Sequence, residues 1–323
     1  MSHYFEMLRM VSRTFTLSIE QLPQDIRDAV ALAYLLLRVS DCLEDHPTMD
    51  ATSKAQLLEL WSDILTGQSS AAELTDQITH LDATDPEVYV AQQAVELVDY
   101  LQTFPMDIQE IIISRVRETS LGMAHWQRRG PYVKNEAELD DYMYYVAGLV
   151  GYLLTDIFAW HSPSIEARKH ALLPLSREFG LALQTVNVIR GLRKDYERGW
   201  IFVPQTFLEQ VELTREQLFM PAFEEKGLQV IKLLTDKAER HLQHGLQYIM
   251  TIPRTQHRIR LFCVWPLFFA ARTLAVSRNN VNVLRAEAKM SREQVKTIVR
   301  DTTLLGWSNR WLNRYYTSLN YSA

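Results

Sequence analysis

Residues 22–45, LPQDIRDAVALAYLLLRVSDCLED, restrict the fold more than any other part of the chain. A proline and an aspartate mark a helix start, and more than three turns of nearly unbroken apolar residues follow. A helix that is apolar almost all round must be buried on most sides, so other elements have to surround it. It then ends in Asp41, Glu44 and Asp45, whose i, i+3, i+4 spacing projects three carboxylates from one face. Tyr34 and Arg38 precede them on neighbouring turns of the same side. Three like charges repel, and at a helix C-terminus they also oppose the helix dipole. A cation should compensate them. Oxygen-only ligands suit Mg²⁺, which binds through one or two carboxylates together with substrate phosphates. A solvated acidic helix end is the plainer alternative, but the apolar turns before it speak for a site.

The rest of the chain supplies the surrounding helices. Helical periodicity covers 53–66, 86–103, about 105–130, 137–160, 165–195, 222–250, 255–278 and 291–315. No long segment alternates with period two, and Gly and Pro number only 11 each in 323 residues, so the expected class is all-α. Without a Ser/Gly- or Pro-rich linker, residues 1–323 are expected to form a single domain. The small residues of YVAGLVG (145–151) would let neighbouring backbones approach closely. A net charge of −5 argues against a nucleic-acid binder, although it leaves room for a basic phosphate pocket. Cys42 and Cys263 sit in apolar contexts without metal-ligand spacing and read as buried free thiols of a reducing compartment. The N-terminus lacks a signal peptide, no window holds 18 uninterrupted apolar residues, and the chain ends TSLNYSA without a hydrophobic anchor. A cytoplasmic protein is expected, with membrane contact left open for a greasy substrate.

A second constellation lies in NVIRGLRKDYERG (187–199). Gln184, Asn187, Gly191 and Asp195 fall on one helical stripe, with Arg190 at its border. Amides, an arginine and an acid exceed what a core stripe needs, although a structural polar network is the alternative. A third cluster, VSRTF, offers Ser12 and Arg13 to a phosphate near a helix start.

SRTFTLSIEQLPQDIRDAVALAYLLLRVSDCLED, DDYMYYVAGLVG and FGLALQTVNVIRGLRKDYERGWIFVP occur in the order and spacing of the squalene/phytoene synthase family, which the chain resembles over most of its length. QTFP, LGMA and LFCVWPLFFAARTLA resemble squalene synthases in particular. The resemblance implies a single-domain isoprenoid-synthase bundle of helices around a central cavity. It also implies a prenyltransferase that uses Mg²⁺ to condense two prenyl diphosphates head to head, farnesyl diphosphate giving presqualene diphosphate and then squalene. NADPH would be the reductant of that last step, and peripheral membrane contact would serve product release. Carried over by position, Asp41, Glu44, Asp45 and Asp195 resemble the metal ligands. Ser12, Arg13, Tyr34, Arg38, Gln184, Asn187, Arg190 and Lys194 would hold the substrate diphosphate. Tyr145, with Asp41, Asp45 and Arg190, would serve the chemistry, and Phe262 and Pro266 the far end of the cavity.

The second motif departs from the family pattern. Gly191 stands where the leading aspartate is usual and Lys194 where an acid is usual, while Trp200 replaces an arginine before the IFVP exit. The local charge changes by about two units, a large perturbation where solvation is poor. Metal bound by this motif should therefore be weakened or lost. Three readings follow: condensation of two substrates, ionisation of one prenyl or presqualene-type diphosphate with a cyclising or hydrolytic quench, or a non-catalytic prenyl-lipid-binding or assembly role. The intact first motif, with Tyr145 and Arg190, speaks against the third, and the Gly191/Lys194 pair speaks for the second. No sequence feature separates the first from the second, and condensation is the leading expectation.

Overall fold

The computed structural model of the chain describes residues 2–287 and 290–321, the side chains of Ser2, Arg13 and Tyr321 excepted. The chain is all-α: 79% of it is helical and no strand occurs among the described residues, only one isolated bridge between Tyr132 and Ile201. In order the helices are α1 (Ser2–Val11), α2 (Arg13–Ile19), α3 (Gln24–Asp45), α4 (Ala51–Leu65), α5 (Ala71–Ile78), α6 (Pro86–Gln92), α7 (Ala94–Leu101), α8 (Met106–Arg129) and α9 (Glu136–Met143). A π-helical turn, Tyr144–Gly148, joins α9 to α10 (Leu149–His161). There follow α11 (Pro163–Glu166), α12 (Lys169–Glu197), α13 (Gln205–Gln210), α14 (Glu224–Thr251), α15 (His257–Ser277), α16 (Arg292–Leu305) and α17 (Asn309–Tyr321).

Side-chain caps set several starts, as their residue types allow. Asp50 accepts from Thr52 and Ser53 N–H, Asn135 from Glu138 N–H, and Ser291 and Gln294 close a capping box on α16. Gly130, with φ of 95°, ends α8 in a conformation that side chains disfavour. Three expected helices are interrupted. The 86–103 segment breaks at Gln93, next to Gln92, whose amide donates to the carbonyls of Ile78 and Leu81. The 137–160 segment contains the π-turn, and 291–315 breaks around Gly306 into α16 and α17. Local periodicity is blind to all three, because each break serves a tertiary contact.

The chain folds as two compact units: residues 1–130 with 152–169, and residues 131–151 with 170–323. In the first unit α3 is central, lying against α8, α6, α4, α1 and α7. Its buried residues run from Ile26 to Glu44 on most sides, as expected, leaving a partly exposed stripe of Tyr34, Leu37, Arg38 and Asp41 that ends in exposed Asp45. A buried Ser40–Ser120 hydroxyl pair at 2.9 Å ties α3 to α8. In the second unit α15 has that role, packed by α14, α16 and α17 and buried along nearly its whole length. Burying each such side chain contributes roughly 1.5–3 kcal/mol.

Among the described residues, two helices have the length and composition to cross a membrane, Glu136–His161 and His257–Ser277. The second is mostly core, 83% of its apolar window being buried in the fold. Both cysteines are buried free thiols, and burial pushes the Cys42 thiol up to about 12, far from reactive.

Candidate active site

The first unit carries the acid-rich end of α3. The three carboxylates are not equivalent. Asp45 is exposed, Asp41 is half-buried, and Glu44 is only 6% exposed. Burial, followed by the charges of Asp45 and Asp41, pushes the Glu44 carboxyl well up, against the pull of Lys54 and Gln127. One of its oxygens, Oε1, is buried without a hydrogen-bond partner. Burial also raises Asp41 to about 6: Arg38 opposes the shift, while Asp45 and Glu87 add to it.

Arg38 is the organising cation of this group. Its Nη1 donates to Asp41 at 2.7 Å and its Nη2 to Glu87, while its Nε is buried with no partner. Burial works against the guanidinium charge, but Asp41, Tyr34 and Glu87 raise its pKa overall. Burial likewise raises the Tyr34 phenol, moderated by Arg38 and by a hydrogen bond with Ser12. Ser12 is the N-cap of α2, its hydroxyl accepting from Phe15 N–H at 3.2 Å. Phe15 in turn packs against the Tyr34 ring, centroids 5.5 Å apart. Tyr34, Arg38 and Asp41 thus lie together on α3, and Ser12 reaches Tyr34 from the start of α2; the Arg13 side chain lies outside the described residues. Glu87, Lys54 and Gln127 are additions that local sequence could not reveal. They come from α6, α4 and α8, and Glu87 lies 49 positions from its partner Arg38.

The second unit carries the other two motifs. Tyr145 sits in the π-turn, its ring edge-on to Tyr144 at 5.2 Å. Such turns recur at functional sites because they aim side chains that an α-helix would turn away. The turn lies directly on α12: a Cβ at Gly180 would fall 2.2 Å from Ala147 O, and one at Gly151 would fall 2.1 Å from Ser176 O. The small residues therefore do allow the close approach expected of them. Further along α12, Asn187 donates to Gln184 Oε1 at 3.4 Å, and Asp195 bends back over Gly191. Asp195 Oδ2 lies 3.2 Å from where a Cβ at Gly191 would be, so the last acid of the motif covers the glycine. Lys194 is exposed. Arg190 Nε is 3.0 Å from Glu287 Oε1, a partner about a hundred residues away that the motif does not announce. Trp200 joins an aromatic stack with Phe202 and Tyr142, at 5.4 and 6.4 Å between centroids. Phe262 and Pro266 are buried in α15.

The end of α3 fits a divalent cation. A buried carboxylate oxygen without a partner, beside an acid held near 6, is an arrangement that a cation would relieve. Among the described residues no group of three or more His, Cys, Asp or Glu side chains forms a metal cage by itself. A cation there would need ligands from the substrate, as Mg²⁺ on phosphates has. The second motif, with one acid, a lysine and a glycine, offers no comparable set.

Acids at the end of α3, beside the half-buried Arg38 fork in an all-α chain, are the arrangement a charged ligand would need. The squalene/phytoene synthase family model matches residues 8–294, and the chain belongs to that family. It is 28% identical to squalene synthase of Schizosaccharomyces pombe over 98% of this chain and 68% of that one. It is 27% identical to squalene synthase of Homo sapiens over 93% and 69%. Its fold matches the ligand complex of TcSQS with E5700 at a TM-score of 0.85 and 24% identity, over 99% of this chain and 90% of that one. Membership makes it a prenyltransferase-type enzyme acting on prenyl diphosphates.

Proposed function

We propose that the protein condenses two prenyl diphosphates head to head in a Mg²⁺-dependent reaction, with farnesyl diphosphate as substrate. The observation that carries this reading is the end of α3, where Glu44 Oε1 and Arg38 Nε are both buried without partners. Glu44 Oε1 lacks a partner even with Lys54 and Gln127 near the carboxyl, Arg38 Nε lacks an acceptor, and a metal diphosphate would supply both. Asp41 and Asp45 would hold the metal, with Glu44 behind them and Asp195 as the acid of the second motif. The metal, when bound, neutralises charge growing on the departing diphosphate.

Arg38, Tyr34, Ser12 and Arg13 bind diphosphate oxygens and orient the substrate. The Arg38 fork must trade at least one of its carboxylates for the ligand. Gln184, Asn187, Arg190 and Lys194 provide donors along α12, Lys194 bringing positive charge where the family uses an acid. Tyr145 faces the reacting carbons, and the apolar residues around Phe262 and Pro266 keep water from the cation. A cytoplasmic setting, with peripheral membrane contact for release of a hydrocarbon, belongs to the same proposal.

The test is incubation of the purified protein with farnesyl or geranylgeranyl diphosphate, with and without Mg²⁺ and NADPH, followed by identification of the product. A thirty-carbon product that requires Mg²⁺ supports condensation, and dependence on NADPH would add the reductive step. No turnover of either substrate would leave only a binding role.

Asp195 folded over Gly191 favours a second reading, ionisation of a single diphosphate, because the motif presents one acid and not a pair. A fifteen-carbon alcohol or cyclic product would establish it. Gly191→Asp separates the two readings. The new Cβ would press on the flexible end of Asp195, which can yield by a few tenths of an ångström and form a paired carboxylate site. Under condensation the Mg²⁺ concentration for half-maximal rate falls; under one-substrate chemistry the change is neutral or harmful.

A further inference from the structure

The second unit contains a buried charge cluster that the proposed chemistry does not use. Lys237, only 1% exposed on α14, places Nζ 2.5 Å from Asp140 Oδ1 and 3.5 Å from Glu136 Oε2. One turn on, His241 Nδ1 meets Glu178 Oε2 at 2.6 Å, and its Nε2 is 3.6 Å from Asp140. Arg177 pairs with Glu178 at 2.5 Å, Arg240 with Glu136 at 2.6 Å, and His244 lies 3.9 Å from Glu178. The cluster therefore clamps three elements: α9 through Glu136 and Asp140, α12 through Arg177 and Glu178, and α14 through Lys237, Arg240, His241 and His244.

Its place along the chain is what matters. Asp140 lies one turn before Tyr144, where α9 widens into the π-turn. Arg177 lies over the Tyr144 ring, 5.8 Å from its centroid, and its Cγ would be 3.5 Å from a Cβ at Gly148. Thr185 donates to Met143 Sδ at 3.4 Å, a second tie between the same two elements. A π-turn holds one more residue per turn than an α-helix, and its register can relax into the flanking helix. Stability alone does not explain such a cluster, since well-packed apolar side chains of similar volume would be as stable or more so.

We infer that Asp140, Lys237, His241 and Glu178 are positioning residues that lock the π-turn, and with it Tyr145, against α12. The inference rests on the reading of Tyr145 as a residue of the reaction. Burial and the Lys237 charge oppose the His241 charge, but the hydrogen bond to Glu178 and the nearby Asp140 carboxylate outweigh them and raise its pKa. His241 in turn holds Glu178 down, and with Lys237 it holds Asp140 down against burial. The lock is thus complete while His241 is protonated. It loosens as pH rises through the raised value, when two acids lose a cation between them.

The test is amide hydrogen exchange of the full chain, corrected for intrinsic rates, read on peptides covering 139–151. In the unmodified protein, protection at 144–148 falls as pH rises through the raised His241 value, while the α15 core keeps its protection. Asp140→Asn, which keeps shape but removes charge, speeds exchange at 144–148. It lowers kcat on the order of 10- to 100-fold, with KM changed by less than about twofold. In His241→Asn, which keeps a donor near Glu178 but cannot titrate, the alkaline fall in both protection and kcat disappears. Unchanged exchange at 144–148 across the pH series and in Asp140→Asn overturns the inference, as does loosening only in step with global unfolding. Full activity of Tyr145→Phe would instead remove Tyr145 from the reaction, leaving the exchange result to stand by itself.

Discussion

At the scale of single residues, the end of α3 shows how burial differentiates three acids of like chemistry. Spacing put Asp41, Glu44 and Asp45 on one helical face, and that was legible. Which of them lies buried was not, because it depends on Lys54 and Gln127 arriving from α4 and α8. The difference has consequences. Asp41→Asn removes the charge proposed to hold the metal, and turnover should drop by at least about 100-fold in a steady-state assay of diphosphate release. Under the proposed function a proton would compete with the cation at Asp41, whose carboxyl is raised to about 6. Turnover at limiting Mg²⁺ should therefore fall as pH drops through 6, and excess Mg²⁺ should move that limb to lower pH. Glu44→Gln acts on stability. Its carboxylate is buried and pushed up by its neighbours, so neutralising it should raise the melting temperature of the metal-free protein by a few degrees. A lowered melting temperature without metal would show that Lys54 already balances the charge.

At the scale of elements, the informative departures are the broken helices. Periodicity over 137–160 correctly demanded one apolar helix, yet the chain widens into a π-turn at Tyr144–Gly148. The YVAGLVG pattern was legible as a close-approach surface, and Gly180 on α12 is its counterpart. The substitution that exposes this contact is Gly180→Ala. A Cβ placed 2.2 Å from Ala147 O has no flexible neighbour to displace, so the backbones must separate. Chemical denaturation should show a loss of roughly 1–3 kcal/mol or more, since overpacking here meets main chain. Gly191→Ala on the same helix meets only the movable Asp195 carboxylate and should cost far less.

At the scale of the whole molecule, each compact unit is organised by one largely buried helix, α3 in the first and α15 in the second. The second unit closes on Arg260, fully buried in α15. It donates to Ile249 O and Ile252 O at 2.8 and 2.7 Å and to Asn309 Oδ1 at 2.6 Å. Burial lowers its pKa to about 10, still well above neutrality, so it stays charged. One side chain thus fastens the end of α14 and the start of α17 to the core helix. Arg260→Met leaves two buried carbonyls unpaired, at about 1–3 kcal/mol each. Limited proteolysis should then cut first at residues 305–309, before α3 or α8 is attacked; an unchanged pattern would mean that Trp265 and its bond to Thr302 hold α16 without help.

The amino-acid order by itself determined the all-α class, the nearly all-round apolar helix ending in Asp45, and the acid, tyrosine and amide motifs with their family likeness. These follow from spacing along a helix, which is local geometry. Only the tertiary structure decided that Glu44 is the buried acid, that Glu87 and Glu287 occupy the motif arginines, that Asp195 covers Gly191, and that Tyr145 stands on a π-turn above a buried charge cluster. Burial and electrostatic pairing depend on residues tens to a hundred positions apart, and helical spacing carries no record of them.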